Sequence, residues 1–394
     1  MAAVATQRAG GPTEGRRRRR YDPVMTRFPE RPTLSDVAEA AGVSTVTVSR
    51  VLENSPKVAA RTRAKVRAAM EEIGYFGNAA ASLLVSGRSR TIGIVTSDTA
   101  DFGYARTIAG IEQRARQRDM AVLIVVMEGV DDTALRKTVA TTAGQALAGA
   151  IVIDYDPVAR RILPALPAYL PAVGSTAPPD GGANPRPYVY IDEYGGSVLA
   201  TQHLLELGHR SVFVLAPPHL EPVERRSRGV LDTLDAAHLP HYPVIRCSDW
   251  RAESGYRHTV ELLDRYGEAV TAIACANDEI ALGAVRAVFD CGLRVPEDVS
   301  VVGFDDNPLA TYVRPALTTV RQDFARLGGL AFDLLMTLLD EDGAPGTAAA
   351  TTHDDGPGEA PASGGPTARE PLPTELVVRE STAAPHPARG LGAG

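Results

Sequence analysis

Residues Leu34–Glu53 read LSDVAEAAGVSTVTVSRVLE, and the reading of the second half of that stretch decides the fold. Taken alone, TVTVS at Thr45–Ser49 alternates β-branched and hydroxyl residues in the manner of a strand. It follows AEAA, a run of good helix formers, and Gly42, which suits a helix stop because glycine accepts the left-handed backbone. Ser44 then suits an N-cap, its hydroxyl accepting a free backbone N–H at the start of a second helix. The β-branched residues cost only a few tenths of a kcal/mol each (roughly) in a helix, which packing can override. On this reading Val48, Val51 and Leu52 share one face, as Val37, Ala38 and Ala41 do on the first helix. Thr45, Val46, Ser49 and Arg50 take the opposite face. Two helices joined by a tight glycine-containing turn form a helix-turn-helix, whose second helix enters the major groove. Arg50 could then pair with a guanine edge, worth about 1–3 kcal/mol of discrimination, and Thr45 and Val46 could touch thymine methyls. A plain helical hairpin with a surface arginine is the alternative.

Charge supports the first option. The chain of 394 residues carries a net charge of −7, but residues 1–90 hold 16 Lys and Arg against 8 Asp and Glu, a balance of +8 that leaves −15 for the rest. A basic front on an acidic body points to nucleic acid at the front and a different task behind it. The Arg16–Arg20 run could be no more than a basic tail, yet without residues 1–30 the front segment is still basic. No apolar run approaches the roughly 18 residues of a membrane span, and no apolar segment follows the arginine run as in a signal peptide. Three cysteines, Cys247, Cys275 and Cys291, without CxxC spacing argue against a disulfide framework or zinc site and fit a reducing cytoplasm.

Residues 32–75 read as three short-linked helices. From Thr91 the pattern changes to apolar runs, TIGIV, AVLIVV, GAIVI, YVYI, SVFVL, TAIACA and VSVVGF, alternating with amphipathic segments. That alternation predicts βαβ units and mainly parallel sheets, and about 300 residues imply two such α/β subdomains rather than one. Residues 341–372 are a low-complexity insertion, after which TELVVRES supplies one last strand. No heptad repeat follows it, so no C-terminal coiled coil is expected.

LSDVAEAAGVSTVTVSRVLE resembles the DNA-binding headpiece of the lactose-repressor (LacI/GalR) family of bacterial transcription regulators, and ARTRAKVRAAMEEIGY resembles its third helix. Further landmarks run to Ser381: LLELGHRSV, RSRG at Arg226–Gly229, CANDEIALGA, RVPEDVSVVGFDD, PALTTV and ELVVRES. The resemblance implies that Thr45 and Val46, with Arg50, read an operator, and that Thr33, Ser44, Thr47, Ser49 and Asn78 belong to the same DNA-facing set. In NAAASLLVSG, Asn78, Ala81 and Leu84 match the family's hinge helix, while Gly77 and Ser82 stand where it has Pro and Arg. A ten-residue helix is marginal alone but can order against its copy in a DNA-bound dimer, with Leu84 wedged between minor-groove base steps. A passive tether is the alternative.

Ligands of open α/β sheets sit beyond the carboxyl ends of the strands. Asp98, Asp154, Asp192, Asn277, Asp278 and Asp305 each follow an apolar run there. Each alone suits a helix cap; together they suit a polyol-binding cleft. The resemblance adds Arg226, Asn277 and Asp305 as effector contacts, Trp250 in SDWRAESGY as a ring stacked on a sugar, Gln322 at the cleft hinge and Tyr104 in the loop after the first strand. Core packing is the alternative for Trp250. The Asp305–Asp306 pair has no nucleophile, phosphate loop or metal cluster beside it, so no catalysis, cofactor or metal is expected.

The expected organisation is a disordered basic tail (1–30), a helix-turn-helix domain (31–76), a hinge (77–90) and a periplasmic-binding-protein-like core (91–382), then a disordered tail (383–394). Within the core, one subdomain spans about 91–190 and 322–340 and the other about 191–321 and 373–382. The chain is expected to cross between them three times, near residues 191, 321 and the 341–372 insertion. The expected function is a cytoplasmic, homodimeric repressor of carbohydrate-utilisation genes that binds a pseudo-palindromic operator and is released by a sugar-like effector. Two other readings stay open: a regulator whose ligand, a purine or sugar phosphate, tightens DNA binding, and a sugar-binding protein without DNA function. An enzyme acting on sugars is the least favoured.

Overall fold

The computed structural model describes residues 32–52, 55–75, 89–176, 186–218, 225–342 and 370–386. The chain divides into two compact units, 1–86 and 87–394.

The first unit is three helices, α1 (Leu34–Ala41), α2 (Thr45–Leu52) and α3 (Ala60–Ile73). Thr33 caps α1 in a capping box: its amide donates to Asp36 Oδ2 at 2.7 Å and its hydroxyl accepts from the Asp36 N–H. Those bonds from Thr33 hold the Asp36 carboxyl below its usual range. Gly42 ends α1 at φ +57°, the left-handed region, and the Thr47 amide donates to Ser44 Oγ at 3.3 Å to start α2. TVTVS is therefore helix. Val37, Ala38, Ala41, Val48, Val51, Val66, Ala69 and Tyr75 form the core of this unit. Burying Val48 and Val51 contributes about 3–6 kcal/mol together, against roughly 2–3 kcal/mol for the helix penalty of Thr45–Ser49. Leu52, expected on the buried face, is 39% exposed: α2 ends at that residue, so Leu52 hangs past the contact with α1 and α3.

The second unit holds two sheets. The first has the order β2-β1-β3-β4, all parallel, from β1 (Thr91–Thr96), β2 (Ala121–Val126), β3 (Gly149–Ile153) and β4 (Ala172–Gly174). Between these strands run α4 (Phe102–Gln117), α5 (Asp132–Ala143) and two single turns, α6 (Pro157–Arg160) and α7 (Ile162–Ala165). After α8 (Glu193–Glu206) the second subdomain is built from β5 (Val212–Ala216), α9 (Arg225–Ala236), β6 (Ile245–Arg246) and α10 (Ala252–Tyr266). It continues through β7 (Ala272–Cys275), α11 (Asp278–Asp290), β8 (Ser300–Asp305) and β9 (Thr318–Arg321). Following α12 (Phe324–Asp342), β10 (Glu375–Val377) closes this sheet in the order β10-β9-β8-β7-β5-β6, antiparallel only at β10–β9. Six of the seven apolar runs named from the sequence supply β1, β2, β3, β5, β7 and β8, and TELVVRES supplies β10, whereas β4, β6 and β9 were not among them.

YVYI is the exception. It makes only isolated bridges, Gly174↔Tyr188 on one side and Ile191↔Leu372 on the other. It is a crossing segment, tied to a returning crossing segment by the Asp192 N–H to the Leu372 carbonyl at 2.8 Å. The chain passes between subdomains there, again from β9 to α12, and a third time as Leu372 leads into β10. α12 lies against α4 so closely that a Cβ on Gly110 would sit 2.0 Å from the Ala325 carbonyl oxygen; only glycine permits that contact.

Order also extends beyond the expected end of the core. Ala383 accepts from the buried His209 ring at 2.9 Å and its amide donates to Ser300 Oγ at 3.0 Å. Ala383, expected in the tail, is thus bound to the second subdomain by polar groups that lie far away in sequence. Among the described residues, no helix is long and apolar enough to cross a membrane.

Candidate DNA interface and ligand cleft

On α2 the exposed side chains are Thr45, Val46 and Arg50, with Leu52 at its end, and Val46 is 56% exposed although it is apolar. Ser49 and Thr47 are half-buried beside them, and Ser44 and Thr47 share a hydroxyl hydrogen bond of 2.9 Å. Thr33 is exposed but spends its hydroxyl on the α1 cap. The structure thus gathers Ser44–Arg50 on one helix and leaves its outer side to water. Asn78 and Leu84 lie outside the described residues.

In the second unit the residues expected at a cleft fall into three groups. The first converges on Arg226, in the opening turn of α9. Its Nε and Nη2 donate to Glu193 Oε1 at 3.1 and 2.6 Å, and its Nη1 donates to the Ala276 carbonyl and lies 3.6 Å from Asp305 Oδ1. The guanidinium stands 4.5 Å from the centroid of the Phe304 ring and 5.6 Å from that of Trp250. Asp305 also accepts from Gln322 Nε2 at 2.6 Å. Asp305 and Asp306 hold φ of +110° and +53°, conformations that cost a non-glycine residue on the order of 1–3 kcal/mol each and that cluster at functional sites. Burial pushes the Asp305 carboxyl up to about 7, against the opposing pull of Arg226 and of the Gln322 hydrogen bond. Trp250 is half-buried and packs on the second-subdomain core, so it serves core and cleft together.

The second group is spent on structure. Asn277 caps α11 through Oδ1 to the Ile280 N–H at 2.8 Å, and its Nδ2 donates to the Trp250 carbonyl at 3.1 Å. Asp278 is buried with both oxygens engaged, by the Thr319 hydroxyl at 2.5 Å and the Asn307 N–H at 2.6 Å. Burial and the neighbouring Asp305 push its carboxyl well above the usual range. Asp192 caps α8, accepting from the Gly195 N–H at 2.9 Å, and Asp98 accepts from the amides of Ala100 and Asp101. Tyr104 is buried, its hydroxyl donating to Asp156 Oδ2 at 2.7 Å, so it supports the cleft loop from beneath. Asp306 pairs with Arg379 at 2.6 Å and Arg321 at 2.7 Å, which outweigh its burial and lower its pKa. It therefore shares no proton with Asp305, and no acid/base dyad forms.

The third group was missed. An open pocket is lined by Tyr155, Arg160, Ser175 and Thr176 from the first subdomain, by Tyr190, Ile191, Glu193 and Arg225, and by Gln322, Phe324 and Leu327. Only Gln322 had been singled out. Tyr155 and Thr176 each stand two residues past the ends of β3 and β4, so the strand-end rule would have found them had it not been confined to Asp and Asn. Asp154 lies behind the wall, its Oδ1 accepting from the Ser175 N–H and hydroxyl at 3.0 and 3.2 Å. Gln322 is nine-tenths buried, and its Oε1 has no hydrogen-bond partner. A buried acceptor in that state favours a ligand that brings a donor. Among the described residues no group of three or more His, Cys, Asp or Glu is arranged to hold a metal ion.

Comparison with known proteins agrees with this geometry. Residues 33–78 match the model of bacterial regulatory proteins of the lacI family, and residues 201–355 match a periplasmic binding protein-like domain. The lactose operon repressor of Escherichia coli (strain K12) is 34% identical over 362 residues, covering 90% of this chain and 91% of that protein. Among solved structures, the lac repressor dimer bound to operator and an anti-inducer aligns with a TM-score of 0.75 at 32% identity, over 90% of this chain and 100% of that one. The complex of the transcriptional regulator CelR with cellobiose aligns with a TM-score of 0.62 at 31% identity, over 89% and 100%. With its capped headpiece, two crossed subdomains and strand-end cleft, the chain belongs to the lacI family of bacterial regulatory proteins.

Proposed function

We propose that this chain is a sequence-specific transcriptional repressor of carbohydrate-utilisation genes, working as a cytoplasmic homodimer on a pseudo-palindromic operator. It performs no catalysis; a sugar-like effector in the cleft releases it from DNA. The observation that carries the reading is α2, a capped helix whose core face is buried while Thr45, Val46 and Arg50 are turned to water on a basic unit. Two copies related by a two-fold axis would present two such helices to neighbouring major grooves. Related proteins support the ligand side: one has been solved as a dimer on operator DNA and another with cellobiose.

The cleft supplies the means of control. Asp305 ends β8 in the second subdomain, Gln322 lies where the chain leaves β9 for α12, and α12 packs on the first subdomain. A ligand that takes up the Gln322 acceptor and draws Arg226 and Asp305 towards itself favours one relation of the subdomains over another. It shifts DNA affinity by no more than that difference in binding free energy.

Gel-shift titration of the full-length protein on upstream DNA of neighbouring genes, with and without sugars, tests the reading. Selective binding relieved by a sugar is the expected result. Equal affinity for promoter and random duplex at moderate salt overturns it. Binding tightened by the ligand replaces it with a corepressor mechanism.

A further inference from the structure

The turn that carries Asp305 is held from far along the chain. Asp305 and Asp306 end β8 with φ of +110° and +53°, conformations that non-glycine residues keep only where their surroundings impose them. Asp306 Oδ1 accepts from Arg379 Nη2 at 2.6 Å, and its Oδ2 accepts from Arg321 Nε at 2.7 Å. The two arginines differ in setting. The Arg321 side chain is 47% exposed and is shared between Asp306 and Glu375, so water weakens its hold. The Arg379 side chain is 15% exposed. Its Nη1 donates to the Leu317 carbonyl at 2.8 Å, and its backbone N–H donates to Thr318 Oγ1 at 2.9 Å. Arg379 is thus fixed against the start of β9 and presents its remaining nitrogen to Asp306. On the next residue of the turn, the Asn307 N–H donates to Asp278 Oδ2 at 2.6 Å. With its second and third residues gripped in this way, the turn directs its first, Asp305, at Gln322 Nε2 (2.6 Å) and Arg226 Nη1 (3.6 Å).

We propose that Arg379 is a positioning residue for effector binding: by clamping Asp306 it keeps the turn at the end of β8 in the shape that aims Asp305 at the ligand, and it sets effector affinity without touching the effector. The inference rests on the sugar-responsive reading above and deepens it. Removing one partner of an ion pair that is mostly withdrawn from water leaves the other charge stranded. Without Arg379, the Asp306 carboxylate gains by turning out to water, the two left-handed residues relax, and Asp305 loses its alignment with Arg226 and Gln322. Arg379 stands two residues past β10, so the strand that closes the sheet edge also delivers the clamp.

Calorimetric and fluorescence titrations of the full-length protein decide this, with galactose, ribose, lactose and cellobiose as probes and Trp250, the single tryptophan of the chain, as the fluorophore. Arg379→Gln is expected to weaken the tightest-binding probe by at least about tenfold. Arg379→Lys keeps a charge for Asp306 and should return affinity to within about threefold of wild type. Asp306→Asn keeps a residue that tolerates the left-handed backbone but removes the charge, and should weaken the probe by at least about threefold. In an Asp305→Asn background, Arg379→Gln should change affinity by less than about twofold, because the group it positions is already lost. A loss there as large as in the wild-type background overturns the inference, since Arg379 would then act on the fold at large. An Arg379→Gln protein that binds the probe as wild type does also overturns it and leaves the sugar-responsive repressor standing. Should Arg379→Gln fail to fold, Asp306→Asn decides by the same cycle with Asp305→Asn. Failure of all four sugars to bind the wild-type protein overturns the sugar reading and this inference together.

Discussion

The outer face of α2 and the floor of the cleft are both polar, but they stand differently toward their ligands. Thr45, Val46 and Arg50 face water, and the chain commits them to a position on a helix without burying them. The cleft groups are buried or half-buried and already bonded to one another: Arg226 to Glu193, Asp305 to Gln322, Asn277 to the backbone of Trp250. A surface of the first kind gains affinity from direct contacts and from counterion release, and loses it in salt. A site of the second kind exchanges internal hydrogen bonds for those of the ligand, so its affinity is a difference between two well-bonded states. On the proposed reading, that difference would let the cleft act as a switch and the helix as a reader.

Four substitutions or titrations test the contrast. The largest effect belongs to Val48→Asp, which buries a carboxylate among Val37, Ala41 and Val66. It should unfold the first unit, costing more than about 3 kcal/mol, and abolish operator binding, while calorimetry shows the melting of the second unit unchanged. Asp305→Ala removes an acceptor from Arg226 and Gln322. Effector affinity should fall by about 10- to 150-fold with operator affinity intact, so gel shifts show a repressor that no ligand releases. Arg50→Ala should do the converse, weakening specific operator binding by about 5- to 150-fold while effector binding, read by calorimetry, stays as it was.

The smallest effect concerns pH. Asp305 has its carboxyl raised to about 7, so it is mostly uncharged at pH 6 and mostly ionised at pH 8. If a ligand hydroxyl donates to the carboxylate, affinity rises by up to about tenfold across that interval, and Asp305→Asn removes the slope. The stability linkage has the opposite sign. A raised carboxyl favours the folded state at acidic pH, with a contribution fully present below about pH 4 and lost as pH climbs through 7. Asp305→Asn should therefore flatten the stability profile of the second unit over the same range. A wild-type profile already flat between pH 4 and 7 would place Asp305 in a more solvated setting than the structure shows.

Much of this molecule is legible before any coordinates. The headpiece follows from Gly42, Ser44 and a three-and-four spacing of valines, because caps and helix faces are decided by neighbours within a turn or two. The strand runs follow from short apolar segments, and the cleft from their carboxyl ends. YVYI misled because its composition is that of a strand, whereas its pairing depends on Leu372, on the far side of the insertion. The strand-end aspartates were all read alike, yet Asp192 is a helix cap, Asp98 closes the loop before α4 by accepting from the Ala100 and Asp101 amides, Asp278 is buried behind Thr319, and of these strand-end carboxylates only Asp305 meets Arg226.

Residue order alone fixes the ends of the headpiece helices, most of the faces they bury, and that a basic helical unit precedes an acidic body of two sheets. These are consequences of local bonding and periodicity, written within a few residues. Tertiary structure alone decided which polar groups remain available to a ligand. The Asn307 amide reaches Asp278 across 29 residues of chain and Arg379 reaches Asp306 across 73, while Tyr155, Ser175 and Glu193 meet Gln322 around one cavity. A buried carboxylate takes its role from whatever partner arrives first in space, and no spacing along the chain records that.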